Sequence, residues 1–593
     1  MYQNVFSDYL VKLQEANVHW WKNFEANKDV LSSPVNKALR DVNFDDTSKL
    51  LEQAANQPQA MLKLQTQWWE KQLEIWQDVF FNPTQNGIVE AEKGDKRFSD
   101  DAWDADVVSN FIKQSYLLFS KTYLDTIESI EGLDDKTKER LMFFSRQTIN
   151  ALSPSNFIAT NPELRKLTIE QNGANLLAGL EQLKEDVESS AEILKIRMTN
   201  KKAFRVGEDI ATTAGDVVYR NDLFELIQYK PLTEKVNATP LLIVPPYINK
   251  YYILDLRAKN SMVKWLLEQG HSVFMMSWRN PGYAQRNVEF GDYITEGVVK
   301  AVGAIEDITG QEQINAAGYC IGGTVLACTV AYYAAKRMKK RIQSATFFTT
   351  LLDFAQPGDI GVYINDPIIS AVEIQNSMRG YMDGRMMNVT FSLLRENSLY
   401  WNYYVEHYLK GNNPVDFDLL YWNSDGTNLS APTSNFMLRE FYLNNKLVQD
   451  KGVKVGGVWI DLSKITIPTY FISTKEDHIA LWEGTYNGAL KVGGKPTFIL
   501  GESGHIAGIV NHPDKNKYGY WVNDKLVEDS HDWLSKAAHN KGSWWTHWDQ
   551  WLAQFNPAEK VAPYSQGSEQ NPVITAAPGD YVKIVLPVDQ SEA

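Results

Sequence analysis

Residues 313–323 read QINAAGYCIGG, and the chain runs on through TVLACTVAYYAA to residue 335. No charge falls between 316 and 335, and about 20 apolar residues are enough to span a bilayer. The glycines decide against a membrane span. Gly318, Gly322 and Gly323 crowd around Cys320 and mark a sharp strand-to-helix turn, after which an Ala-rich helix begins. A turn of this kind lifts one side chain clear above the end of a sheet. Its flanking residues must be small, because side chains there would collide with adjacent backbone. The helix that starts at the cysteine turns free N–H groups and a positive dipole end toward the sulfur, which suits a thiolate nucleophile. Cys328, further along the same helix, reads as a small hydrophobe.

On either side of this turn, β-rich runs end in polar loops: TPLLIVPPYIN (239–249), SVFMMSWRNP (272–281), SATFFTTLLDF (344–354), IPTYFISTKEDH (467–478) and PTFILGESGH (496–505). Helical segments separate several of them, which predicts an α/β fold with a mostly parallel, helix-covered sheet. A nucleophile on such a turn is served by an acid and then a histidine, each following a later strand. Asp477 closes TYFISTKED and His505 sits in the GESGH turn, in the required order. The expected triad is therefore Cys320, Asp477 and His505. His478, beside Asp477, is an accessory candidate that lacks the loop position of His505. Acyl transfer also needs N–H donors for an oxyanion, one from the residue after the nucleophile and one from the loop after an early strand. Those positions fall on Ile321 and on Ile248, since Pro245 and Pro246 carry no N–H.

Residues 355 to about 450 interrupt the strand rhythm, are rich in Tyr, Asn, Met and Leu, and are expected to cap the site. The basic run Lys336–Arg341 falls at the far end of the nucleophile helix, where cations complement the dipole. Residues 1 to about 200 read as helical. Leu62, Trp69, Leu73, Trp76 and Phe80 recur at helical spacing, as do Val108, Phe111, Ile112, Tyr116 and Phe119, and residues 174–198 give a third long segment. These stripes are expected to be helix-to-helix core, with a dimer or polymer-surface contact as the alternative. Asn82-Pro83 and Ser153-Pro154 mark breaks between helices. Beyond about 556 the chain is Pro-, Ala-, Ser- and Gly-rich, with one strand-like run at 581–586.

Composition narrows the function. The 593 residues include 18 Trp, 28 Tyr and 25 Phe, ring surface enough for a large core and apolar grooves. A net charge of −14 repels polyphosphates, so nucleic acid is not an expected partner. Two cysteines cannot make a disulfide framework, which points to a reducing, cytoplasmic setting. The start MYQNVFSDYLVKLQEANVHWWKNF has no signal-peptide pattern, and no transmembrane segment, metal or cofactor motif is read.

With these residues identified, the chain resembles the class I polyhydroxyalkanoate synthases. The likeness runs through SPSNFIATNPEL (153–164), VPPYINKYYILDL (244–256), SWRNPG (277–282), GYCIGG (318–323), SLLRENSLYWNYY (392–404), EDHIALW (476–482) and GESGHIAGIVN (501–511). It implies an α/β-hydrolase catalytic domain over 201–570 with a cap at about 355–450, a helical N-terminal domain over 1–200 and a tail over 571–593. It implies polymerisation of 3-hydroxyacyl-CoA into storage polyester with release of CoA and without a cofactor. The family's nucleophile, aspartate and histidine fall on Cys320, Asp477 and His505. The resemblance further implies a homodimer at the surface of cytoplasmic polyester granules, with granule-associated proteins as partners. A cysteine at the turn suits transfer, because exchanging one thioester for another keeps the acyl group activated. The alternatives are a cysteine hydrolase of the same fold (esterase, thioesterase or depolymerase) and a non-catalytic granule coat.

Overall fold

A computed structural model describes residues 33–81, 87–92, 94–190 and 194–586. The amphipathic start, the Asn82-Pro83 break and the last seven residues lie outside them. Two compact units are formed. One comprises the chain up to Asn200 together with Asn388–Val415, the other Lys201–Met387 and Asp416–Ala593. The middle of the insertion, expected to belong wholly to the catalytic domain, therefore packs within the first unit.

That first unit is helical, as its periodicity predicts. The helices Val107–Ser129, Asp135–Ala151 and Pro162–Glu170 each start at an Asp or Asn whose side chain accepts a first-turn N–H, and the last has proline in its first turn. The third segment is shorter than expected, a helix over Ala174–Ser189. It packs on the π-helical turn Tyr404–Leu409, where the Tyr408 hydroxyl donates to buried Asp186 at 2.6 Å. A Cβ on Gly179 would lie 1.9 Å from the Tyr408 carbonyl oxygen, so only glycine admits this approach. The expectation of a core stripe is overturned on the helix Pro58–Phe81. Its buried side is Ile75 and Val79 against Leu118, while Leu62, Trp69, Leu73, Trp76 and Phe80 are 44% to 65% exposed. Val108 and Phe119 are exposed as well. The spacing specified one face correctly, but spacing alone does not say that anything covers it.

The second unit is built on an eleven-stranded sheet. In chain order its strands are β1 Gly215–Arg220, β2 Phe224–Tyr229, β3 Leu241–Val244, β4 Val273–Trp278, β5 Ile314–Tyr319, β6 Ile342–Phe348, β7 Thr469–Thr474, β8 Pro496–Gly501, β9 Tyr520–Val522, β10 Ala538–Asn540 and β11 Thr575–Ala576. Their spatial order is β10-β9-β8-β7-β6-β5-β3-β4-β2-β1-β11. The six strands from β8 to β4 pair in parallel, and antiparallel strands flank them on both sides. The tail contributes β11 and a 3-10 turn at Tyr581–Lys583, rather than the strand expected at 581–586. Every residue of β3, β4, β5 and β7 is buried, which is why those runs read as continuous apolar sequence.

The chain leaves β3 toward β4 on one side and leaves β5 toward β6 on the other. The order of connection thus reverses between β3 and β5, and sheets of this kind bind ligands beyond the C-terminal ends of the strands at that point. The loop after β3 and the turn after β5 meet there. Much of the tryptophan is structural: Trp544, Trp545 and Trp548 are buried, and their indole N–H groups donate to Gly508 O, Ile509 O and Thr346 Oγ1.

Candidate active site

At the end of β5, Cys320 adopts φ 52° and ψ −124°, a left-handed conformation uncommon for a residue with a Cβ. The helix Ile321–Ala335 begins at once, so the half-buried sulfur sits at the positive end of a long, almost wholly buried helix. Backbone crowding enforces this geometry. A Cβ on Gly318 would meet Gly323 Cα at 2.4 Å, and one on Gly322 would meet the Val244 and Pro245 carbonyl oxygens at 2.3 and 2.4 Å. The Gly322 contact also fixes the distance between the helix start and the loop after β3. The Cys320 N–H donates to Phe348 O at 2.9 Å, anchoring the strained residue to β6.

Asp477 and His505 follow β7 and β8, whose C-terminal ends are neighbours in the sheet. Asp477 is buried and fully engaged. Its Oδ1 accepts the N–H groups of Ile479 and Ala480 at 2.8 and 2.9 Å, and its Oδ2 accepts His505 Nδ1–H at 2.6 Å. Cys320 is close enough to the same imidazole to act on its charge. Burial pulls the His505 imidazolium toward deprotonation, but the charges and hydrogen bonds of Asp477 and Cys320 outweigh it and push the pKa up to about 10. The imidazole held by Asp477 is thus that of His505. His478 is half-buried, and its carbonyl accepts the Asp359 N–H at 2.9 Å. Cys328 is fully buried, and burial raises its thiol far above the ordinary range.

Ile321 occupies the first position of the nucleophile helix. Ile248, in the loop after β3, has an N–H with no acceptor among the described residues. Two tyrosines complete the surroundings and carried no sequence signal beyond being aromatic. The Tyr319 hydroxyl donates to His505 O at 3.0 Å, and its ring stacks on the imidazole with centroids 5.6 Å apart. Burial, with a smaller push from nearby Cys320, raises the Tyr442 phenol. Among the described residues no group of three or more His, Cys, Asp or Glu could hold a metal. No helix there is long and apolar enough to cross a membrane.

A nucleophile turn with its histidine and acid is widespread, so comparison with known proteins supplies the family. Residues 94–266 match the family described as the N-terminus of poly-beta-hydroxybutyrate polymerase (PhaC), and residues 240–512 match the alpha/beta hydrolase fold. The poly(3-hydroxyalkanoate) polymerase of Methylorubrum extorquens is 42% identical over 531 residues, covering 89% of this chain and 87% of that protein. The polymerase subunit PhaC of Cupriavidus necator is 43% identical over 497 residues, covering 82% and 83%. That of Rhizobium meliloti is 39% identical over 578 residues, covering 97% and 93%. The chain belongs to the poly(3-hydroxyalkanoate) polymerase family. As a member it is an enzyme, a polymerising acyltransferase, and the α/β-hydrolase fold read from the sequence is the fold of its second unit.

Proposed function

We propose that this polymerase builds polyester from 3-hydroxyacyl-CoA through an acyl group carried on Cys320. The observation that supports this most directly is the strained strand-to-helix turn that presents Cys320 beside His505, whose imidazole is hydrogen-bonded to buried Asp477. Cys320 Sγ attacks the thioester carbonyl, the bond to the CoA sulfur breaks, and CoA leaves with a proton supplied by the His505 imidazolium. The 3-hydroxyl of a second acyl group then attacks the Cys320 thioester. An ester bond forms, the bond to Sγ breaks, and His505 receives the hydroxyl proton. The sulfur lies at the N-terminus of the helix Ile321–Ala335 and beside the imidazole that returns a proton in the first step and takes one up in the second.

The N–H groups of Ile321 and Ile248 are the proposed donors to the oxyanion formed in both steps. Losing one such donor typically costs about 3–4 kcal/mol of transition-state stabilisation. Asp477 is assigned an orienting role. Its oxygens are already engaged by two backbone N–H groups and by His505, and its side chain is inaccessible, which supports action through the histidine rather than on the hydroxyl. His478 is left without an assigned step. A homodimer acting at the granule surface in the cytoplasm remains part of the proposal, supported in the first unit by the exposed row Leu62, Trp69, Leu73, Trp76 and Phe80.

The test is incubation of purified protein with 3-hydroxybutyryl-CoA, following CoA release and product size for the natural chain and for Cys320→Ser. Insoluble polymer from the former and essentially none from the latter is expected. Free hydroxy acid without chain growth would instead establish a cysteine hydrolase. Polymerisation by Cys320→Ser within about tenfold of normal would overturn the nucleophile assignment.

A further inference from the structure

The loop that carries Ile248 is held from one side by a segment more than 170 residues away in sequence, and the contacts follow it almost residue by residue. Thr427 Oγ1 donates to Tyr247 O at 2.8 Å. Asn249 forms a backbone bridge with Gly426. The Trp422 indole N–H donates to Lys250 O at 2.7 Å. At the end of this ladder the Lys250 ammonium meets Asp425 Oδ1 at 2.7 Å, and the Tyr252 hydroxyl donates to Asp425 Oδ2 at 2.7 Å. From the sheet side, the Trp278 indole N–H donates to Pro245 O at 2.8 Å. Ile248 lies inside this clasp, and its own N–H has no acceptor among the described residues.

The ion pair at the end of the clasp is unusual in its setting. The Lys250 side chain is 3% exposed and that of Asp425 11%, and Asp425 is the only partner of the ammonium among the described residues. Burial disfavours the lysine's charge, and Asp425 offsets only part of that. A buried pair of this kind is weak evidence for stability, because apolar residues of the same volume often stabilise as well or better. What an ion pair adds is directional: it fixes one register of two segments, where an apolar contact tolerates sliding. The segments fixed here are the insertion and the loop bearing the second oxyanion donor.

We propose that Lys250 and Asp425 are positioning residues for acyl transfer: their buried ion pair, with the bonds from Thr427 and Trp422, holds the Ile248 N–H where the oxyanion forms. This rests on the assignment of Ile248 above and extends it to residues that touch neither substrate nor nucleophile.

Two readouts on the same variants separate positioning from general damage. Alkylation of Cys320 by iodoacetamide needs the thiolate but no oxyanion donor, whereas first-turnover CoA release from 3-hydroxybutyryl-CoA needs both. Asp425→Asn should keep its alkylation rate within about twofold and lose about tenfold or more in first-turnover rate, with KM nearly unchanged, since removing a donor outright costs about 10²–10³. Thr427→Val removes one loop anchor without stranding a charge, and should show the same split at smaller size. It also covers the case in which Asp425→Asn does not fold. Parallel loss of alkylation and CoA release in Thr427→Val, or no loss of either, would overturn the proposal. Failure of the underlying mechanism looks different, because Cys320→Ser would then still polymerise.

Discussion

Replacing Asp477 by Asn changes one atom pair and should cripple the first chemical step. The carboxylate accepts three hydrogen bonds, of which the one from His505 Nδ1 is the shortest at 2.6 Å. An asparagine can keep its carbonyl oxygen on the N–H groups of Ile479 and Ala480, but its NH2 then faces Nδ1. The imidazole must present a bare Nδ1 and carry its proton on Nε2, the nitrogen left to face Cys320. A charge-assisted hydrogen bond is worth about 1.5–3 kcal/mol, and each 1.36 kcal/mol is tenfold in rate. Lost positioning alone therefore gives roughly 10–150-fold, and the reversed tautomer takes the total toward the 10⁴ typical of such a swap in a triad. The proton balance should move with it. In the natural chain the imidazolium persists to about pH 10, because Asp477 and Cys320 outweigh burial. Its pKa lies above the unfolded value of about 6.5, so the stabilisation is complete below that value and lost as pH climbs through about 10. In Asp477→Asn the His505 pKa should fall, because the raising charge and hydrogen bond of Asp477 are gone while burial is unchanged. Rapid-quench measurement of CoA release and NMR titration of His505 read the two effects. Normal acylation in the first turnover, followed by a stall in chain growth, would refute this reasoning and transfer Asp477 to the attacking hydroxyl.

Three further outcomes are expected. Iodoacetamide should modify one cysteine per native chain, half-buried Cys320, and reach Cys328 only on unfolding; labelling of native Cys328 would contradict its burial and raised thiol pKa. Gly322→Ala should lose about 1–3 kcal/mol of stability by overpacking, and most acyl transfer with it, because its Cβ would displace the Val244 and Pro245 carbonyls at the root of the Ile248 loop; chemical denaturation and single-turnover rates would show whether both fall. Replacing Trp69, Trp76 and Phe80 together by Gln should change stability by no more than about 0.5 kcal/mol at each exposed site, yet reduce co-sedimentation with polyester granules or dimer formation. Unchanged behaviour in both assays would remove that face from the proposed contact surface.

What could be read from the sequence follows how local each cause is. The turn at Cys320 is specified by its own glycines, and Asp477 and His505 by the strands directly before them, so their order and placement were legible. The strands β1 and β2 were missed because charged residues break their apolar runs, and buried Glu225 in β2 is satisfied by the N–H groups of Asp580 and Tyr581 in the tail and by the Arg220 guanidinium of β1. The exposed face of Pro58–Phe81 has the same periodicity as a buried one. The pairing of Lys250 with Asp425 leaves no trace in either stretch alone, since each reads as an ordinary solvated charge until the fold removes the water.

The return of Asn388–Val415 to the helical unit bears on how this chain can be dissected. A cut at residue 200 follows the change in sequence grammar but not the packing. The N-terminal fragment would lose the Tyr408 hydroxyl that caps buried Asp186, and the main-chain oxygen of Val415 that receives the Thr199 hydroxyl. The C-terminal fragment would carry that stretch with its own packing partners removed. Chimaeras that exchange front halves between relatives at this point would mix two halves of one core. An exchange that carries residues 388–415 along with the first 200 respects the unit that the chain builds in two visits.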